Sequence, residues 1–249
     1  MASIKKYYTP HQTDTFKLSR SKVDDFFKCP RCFWLNAVKG IAHPPGLPFS
    51  LNVAVDGLFK KEFDYYREKK LPHPLFIENN LQAIPYQHPE LNNWRENFKG
   101  IRYIHPETNF ELTGAVDDVW ITPVSELLIA DYKATAKESE VTLDADWQIG
   151  YKRQMEFYQW LFRMKGFKVN DTGYFVYTNG IKTNPAFNDT LKFRTKLIPY
   201  IGNDSWVIPT LNKIKLYLDS SVPPPCSNSC EHCKYYANRK KIEYDIFTK

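Results

Sequence analysis

Asp131 and Lys133 stand two apart in the apolar run LLIADYKAT, and Asp117 lies upstream in GAVDDVW. On an extended strand, residues i and i+2 leave the same face, so Asp131 and Lys133 project together. An antiparallel neighbour brings Asp117 beside Asp131. Two converging carboxylates repel each other unless a cation sits between them, and hard oxygen ligands favour Mg2+ or Mn2+. A lysine at such a centre stabilises charge developing on a phosphate or orients an attacking water. The set therefore suits phosphodiester hydrolysis. The competing reading makes Asp118 and Asp131 solvated strand residues near a turn, with Lys133 as their ion-pair partner.

A second group of residues has metal-ligand spacing. Cys29 and Cys32 form CPRC near the start, and Cys230 and Cys233 form CEHC near the end. Two CxxC pairs make a tetrathiolate site for zinc or an iron–sulfur cluster. Such a site would staple the N- and C-terminal regions and contribute to folding stability. His232 reads as a loop residue with the capacity to replace a thiolate. The fifth cysteine, Cys226, leaves an odd count. In a chain without an export signal the pairs read as metal ligands before disulfides.

The elements that must position these groups follow from periodicity. Residues 1–18 look like a loose leader, and 19–249 read as one domain. Ser21 is placed to N-cap a helix with Val23, Phe26 and Phe27 on its apolar face and CPRC at its end. GIAHPPGLPFS must be a loop. Val55, Phe59, Phe63 and Tyr66 recur at helical spacing over about 51–67, and a short helix is expected near 91–98. IRYIH, NFELTGAVDDVWIT and ELLIADYKAT then read as three strands of an antiparallel meander. A long amphipathic helix follows over 145–166, then strands at 173–178 and 191–200 and a helix over 205–219. SSVPPPCSNSCEHCKYY returns to loop. The order predicts a mixed α/β domain with a central mixed sheet flanked by helices.

Composition sets outer limits. The 249 residues are 43% hydrophobic and 16% aromatic, ample for a packed core. No apolar run reaches the roughly 18 residues of a spanning helix, and the polar start lacks a secretory signal, so a cytoplasmic, non-membrane protein is expected. The +6 charge, from 34 basic and 28 acidic side chains, is permissive for a polyanionic partner. Lys5, Lys6, Lys17, Arg20 and Lys22, with Arg239, Lys240 and Lys241, would form one basic patch if the staple joins the ends. Tyr7, Tyr8, Tyr235 and Tyr236 are candidates for stacking on single-stranded bases, or for packing around the metal.

Taken in order, GAVDDVW, LLIADYKAT and QMEFYQWL resemble the GxxD, DxK and QxxxY motifs of RecB-like PD-(D/E)XK nucleases, relatives of AddB and of CRISPR-associated spacer-acquisition nucleases. SRSKVDDFFKCPRCFWL is similar to the SxSxxxxxxxCP signature that begins those domains, and the four motifs span roughly residues 19–236. The resemblance implies a restriction-endonuclease-like fold, with Asp117, Asp131 and the Tyr132 backbone carbonyl as metal ligands and Lys133 as the catalytic lysine. Gln154 and Tyr158, one helical turn apart, would act together at the site or on the DNA backbone. Family members carry a histidine on the first catalytic helix, which here has none. Asp56, with Lys60 one turn on, would supply a ligand in its place, and Glu62 competes with it. The related nucleases often hold a [4Fe-4S] cluster with one N-terminal and three C-terminal cysteines, which offers Cys29, Cys226, Cys230 and Cys233 as a second ligand set. The two matching pairs favour Cys29, Cys32, Cys230 and Cys233.

Three functions fit these features. The first is a divalent-metal-dependent nuclease acting on DNA ends or single strands in repair, recombination or CRISPR-type processing, beside a helicase or integrase-type partner as the resemblance implies. The second is a metal-stapled DNA-binding subunit with little or no cleavage. The third is a thiolate-metal adaptor whose carboxylates are structural.

Overall fold

The computed structural model describes residues 7–44, 46 and 50–247, with side chains through residue 244. Lys5 and Lys6, expected in the basic patch, lie outside the described residues. From the N-terminus the chain forms β1 (Phe16–Ser19), α1 (Arg20–Lys28), α2 (Pro30–Lys39), α3 (Ser50–Lys69), α4 (Pro74–Glu78), β2 (Ile84–Pro85) and α5 (Leu91–Arg95). Strands β3 (Ile101–His105), β4 (Phe110–Gly114), β5 (Asp118–Ile121) and β6 (Leu127–Thr135) follow, then a 3-10 turn at Asp146–Gln148 and α6 (Ile149–Met164). The chain closes with β7 (Thr172–Gly180), β8 (Phe193–Ile201), α7 (Val207–Asp219) and α8 (Glu231–Phe247). It divides into two compact units: residues 1–46, 104–112 and 206–249, and residues 47–103 and 113–205. No composition shift marks this division.

The first unit is tied together by its aromatic side chains. Tyr8 is buried, its ring edge-on to Phe16 at 5.1 Å and to Phe110 at 6.5 Å. Its hydroxyl donates to Asp219 Oδ1 at 2.6 Å and accepts from Lys215 Nζ at 2.8 Å. Within residues 7–18, Tyr8, Phe16 and Leu18 are buried. Ser19, not Ser21, caps α1, accepting the Lys22 amide on its hydroxyl at 3.4 Å. Cys29 then adopts an extended backbone between two helices, because Pro30 cannot continue α1 but suits the first position of α2. At the other end of α2, Gly40 takes φ 71°, the left-handed cap that spares a Cβ, and the Tyr7 ring lies where that Cβ would project. The loop expected over SSVPPPCSNSCEHCKYY runs only to Cys230; α8 begins at Glu231, and its first turn contains Cys233.

The second unit is a five-stranded mixed sheet in the order β2-β5-β6-β7-β8. β5 and β6 are antiparallel, with Asp118 opposite Ala130 and Ile121 opposite Leu127. β6 and β7 are parallel, with Asp131 opposite Phe175, and β7 and β8 are antiparallel. A parallel pair needs a crossover, and α6 lies in the connection from β6 to β7. The mixed sheet and its helices match the expected fold class. The meander does not survive as expected: the middle strand breaks at residues 115–117, so β3 and β4 join a three-stranded sheet with β1, while β5 and β6 enter the five-stranded one. Asp117 therefore lies at the bend just before β5.

One face of this sheet carries a buried hydrophobic cluster. Phe63, Phe76, Trp120, Tyr132, Val176 and Leu197 pack together, with Phe63 stacked on Trp120 at 5.4 Å and on Tyr132 at 5.6 Å. Asp118 sits within it, fully buried. Its Oδ1 accepts from Arg67, from Arg95 Nη2 at 2.6 Å and from the Val119 amide at 2.8 Å. Its Oδ2 accepts from the Tyr132 hydroxyl at 2.9 Å and from Trp120 Nε1 at 3.1 Å. Asp64 bridges the same two guanidiniums from the rim. The solvated reading of Asp118 fails on this geometry.

A buried carboxylate with five donors is worth little over an apolar replacement, but removing it strands two buried arginines. Asp118→Ala is expected to lower unfolding free energy by about 3–5 kcal/mol in a denaturant titration. An unchanged midpoint would show that the arginines reach solvent by another route.

Candidate active site and cysteine cluster

Register brings the two site carboxylates together. Asp118 pairs with Ala130, so Asp117, one residue earlier, falls opposite Asp131 at the end of the ladder. Asp117 Oδ2 accepts the backbone amide of Tyr132 at 2.8 Å, which fixes the bend against β6. Alternation along β6 separates two tasks: Tyr132 enters the core, while Asp131 and Lys133 leave by the opposite face. Asp131 is fully buried, so it too departs from the solvated reading.

Helix α6 covers this face. Gln154 Nε2 donates to Asp131 Oδ1 at 2.8 Å and lies 3.2 Å from the Tyr158 hydroxyl. The sequence pairing of Gln154 with Tyr158 thus corresponds to a real contact. Asp131 Oδ2 is ion-paired with Lys133 and has no other donor among the described residues. The Lys133 ammonium also lies over the Tyr151 ring, 4.6 Å from its centroid. Tyr151 was missed in the sequence because an aromatic on an amphipathic helix carries no signal of its own.

Gly114, the first residue of the GxxD pattern, has a packing role. A Cβ built there would come within 2.6 Å of the Tyr158 ring, so only glycine lets Tyr158 lie this close. The GxxD and QxxxY patterns are thereby one contact in space.

On the other side, Asp56 and Lys60 of α3 approach the site. Lys60 Nζ is 2.8 Å from Asp56 Oδ2 and 3.9 Å from Asp117 Oδ1. Glu62 does not approach it: its carboxylate hydrogen-bonds His73 Nε2 at 3.0 Å and is half exposed. Helical rotation decides between the two, since Glu62 is six residues from Asp56, about 240° around the axis.

The electrostatics describe an anionic centre. Burial first, then the charges of Asp131 and Asp56, push the Asp117 carboxyl up to about 7, against the pull of Lys133 and Lys60. Burial opposes the Lys133 charge, yet Asp131 and Asp117 outweigh it and hold the ammonium above its usual range. Oxygen donors with a buried oxygen served only by a lysine suit a hard divalent cation, which would relieve the repulsion.

A family model of the PD-(D/E)XK nuclease superfamily matches residues 51–237. The chain belongs to that superfamily. No curated protein matches it. PD-(D/E)XK nucleases use divalent metals, and the matched span contains Asp56, Asp117, Asp131, Lys133, Gln154 and Tyr158. It begins after the first cysteine pair and includes the second. In this PD-(D/E)XK chain a cavity of about 450 Å3 is lined by Leu51, Asn52, Val55, Ala134, Tyr151 and Phe193 among others. Its lining comes from five separate elements, α3, β6, α6, β7 and β8, so no local pattern announces it.

The cysteines assemble as the matching pairs suggested. The sulfurs of Cys29, Cys32, Cys230 and Cys233 all lie within 4.8 Å of one another, joining the N- and C-terminal regions. Cys226 is exposed and outside this group. Burial opposes ionisation of Cys29, but hydrogen bonds from the backbone at Cys32 and Ser227 bring its thiol down to about 7. Burial, reinforced by the neighbouring sulfurs, holds Cys32 well above its ordinary value. His232 is helical rather than in a loop, and its ring stacks on His43 at 3.7 Å.

Tyr8 is too buried to stack on a base, whereas Tyr7, Tyr235 and Tyr236 are exposed. Arg239 of the basic run pairs with Glu243 at 2.6 Å. Among the described residues no helix is long and apolar enough to cross a membrane.

The Gly114 contact is testable. Gly114→Ala should destabilise the protein by about 1–3 kcal/mol through overpacking. In a Tyr158→Ala background that cost should shrink, and an equal cost in both backgrounds would place the clash elsewhere.

Proposed function

We propose that this protein is a Mg2+- or Mn2+-dependent deoxyribonuclease that hydrolyses phosphodiesters at DNA ends or on single strands. The observation that carries the reading is the convergence of Asp117, Asp131, Lys133 and Gln154 on one face of the β5–β6 pair. Membership of a superfamily of metal-dependent nucleases supports it. Asp117 and Asp131, with the Tyr132 carbonyl and Asp56, would hold the cation. When bound, that cation supplies Lewis-acid activation of water and of the phosphate. Lys133, held beside Asp131, would stabilise the negative charge developing on the phosphate. Gln154 keeps Asp131 oriented, and Tyr158, fixed against Gly114, keeps Gln154 in place. The motif resemblance to RecB-like enzymes supports a place in DNA repair, recombination or CRISPR-type processing in the cytoplasm, beside a helicase or integrase-type partner.

A second reading rests on α3. Asp56 replaces the histidine of the motif family, and Lys60 engages it while reaching toward Asp117. A subunit that binds DNA without cutting it would keep the same fold.

End-labelled single- and double-stranded DNA incubated with manganese or magnesium distinguishes the two. Wild-type protein is expected to cleave. Asp131→Ala and Lys133→Ala should each lose about 100-fold or more of that activity, the scale of removing one transition-state donor, with circular dichroism unchanged. Full activity in either variant would remove the proposed centre, and DNA binding without cleavage would select the inert subunit.

A further inference from the structure

The two CxxC motifs fold in the same way. Cys29 immediately precedes α2 and Cys32 lies in its first turn; Cys230 immediately precedes α8 and Cys233 lies in its first turn. In each, the leading cysteine's carbonyl accepts the amide four residues on, from Phe33 and from Lys234, both at 3.0 Å. Each motif therefore presents two sulfurs at the start of a helix.

The separations between these sulfurs discriminate between metals. Cys32 Sγ is 3.5 Å from Cys233 Sγ and 3.7 Å from Cys230 Sγ, and Cys29 Sγ is 3.8 Å from Cys233 Sγ. Four sulfurs placed about 2.3 Å from one ion at tetrahedral corners stand about 3.8 Å apart. In a [4Fe-4S] cluster each cysteine binds a different iron, and the outward bonds spread the sulfurs to roughly 6 Å. A [2Fe-2S] centre keeps only the two sulfurs on one iron close and separates the two pairs across the cluster. Here all four lie within 4.8 Å, including every separation across the pairs. The iron–sulfur staple implied by the motif resemblance does not fit, and the one-plus-three ligand set fails with it because Cys226 is outside the group.

We infer that Cys29, Cys32, Cys230 and Cys233 form a mononuclear tetrathiolate site for one zinc ion. Tetrahedral thiolate sites take zinc or iron, and the ordinary affinity order places zinc above ferrous iron. This is independent of whether the carboxylate site cleaves DNA.

The test is metal and sulfide analysis of the full chain, purified without oxygen from cells supplied with both iron and zinc. About one zinc per chain, negligible acid-labile sulfide and a colourless solution are expected. Cobalt loaded in place of zinc should give the visible bands of a tetrahedral thiolate complex. Cys226→Ser should retain all of the zinc, and Cys32→Ser, if it folds, should lose most of it. Brown protein with stoichiometric iron and sulfide would overturn the inference, as would one iron without sulfide, or no bound metal. Zinc loss in Cys226→Ser with retention in Cys32→Ser would overturn the ligand assignment.

Discussion

The Asp118 carboxylate is the point on which the second unit's geometry hangs. Through it, Arg67 from α3, Arg95 from α5, Trp120 from β5 and Tyr132 from β6 are held to one buried group. An isolated carboxylate could not stay charged there, since desolvation would neutralise it. Two guanidiniums and three further donors make the burial sustainable, and they fix where each contributing element lies. The network is a scaffold rather than a reactive centre, because no oxygen of Asp118 is left facing solvent.

Its consequence for the candidate site comes from strand alternation. Asp117 and Asp118 are adjacent and diverge, one toward the site and one into the core. Tyr132 is divided the same way: its hydroxyl binds Asp118, and its amide binds Asp117. Both carboxylates are thus referred to a single residue of β6, flanked by Asp131 and Lys133. The geometry of the candidate-site face is thereby tied to that of the core face through the backbone of one strand. Helix α6 completes the arrangement, with Gln154 on Asp131 and Tyr158 against Gly114.

The cysteine cluster solves a different problem in the first unit. Its segments come from distant parts of the chain, the start of α2 and the start of α8. Under the zinc assignment proposed above, an ion that gathers these four thiolates would add directly to folding free energy. The buried Tyr8, tied to Asp219 and Lys215, adds a second long-range tie in the same unit.

Much of the site was legible in the residues themselves. The DxK spacing placed Asp131 and Lys133 on one strand face, the Gln154–Tyr158 spacing placed them on one helix face, and two CxxC pairs indicated a four-sulfur group. These are local facts, fixed by the period of a strand, the period of a helix and the reach of three bonds. Long-range choices were not legible. The break at residues 115–117 looks continuous by pattern, yet pairing partners split it between two sheets. Asp117 and Asp118 are identical in type; the motif resemblance pointed to Asp117 for the site, but only the packed structure shows Asp118 held by two arginines. Asp56 and Glu62 are likewise both acidic, and only the direction in which α3 packs turns one toward Asp117 and the other toward His73. Sulfur separation, the quantity that distinguishes a single ion from a cluster, exists only once α2 and α8 are packed. Sequence spacing specifies which groups can act together along one element; tertiary packing decides which elements meet, because that depends on burial summed over the whole chain.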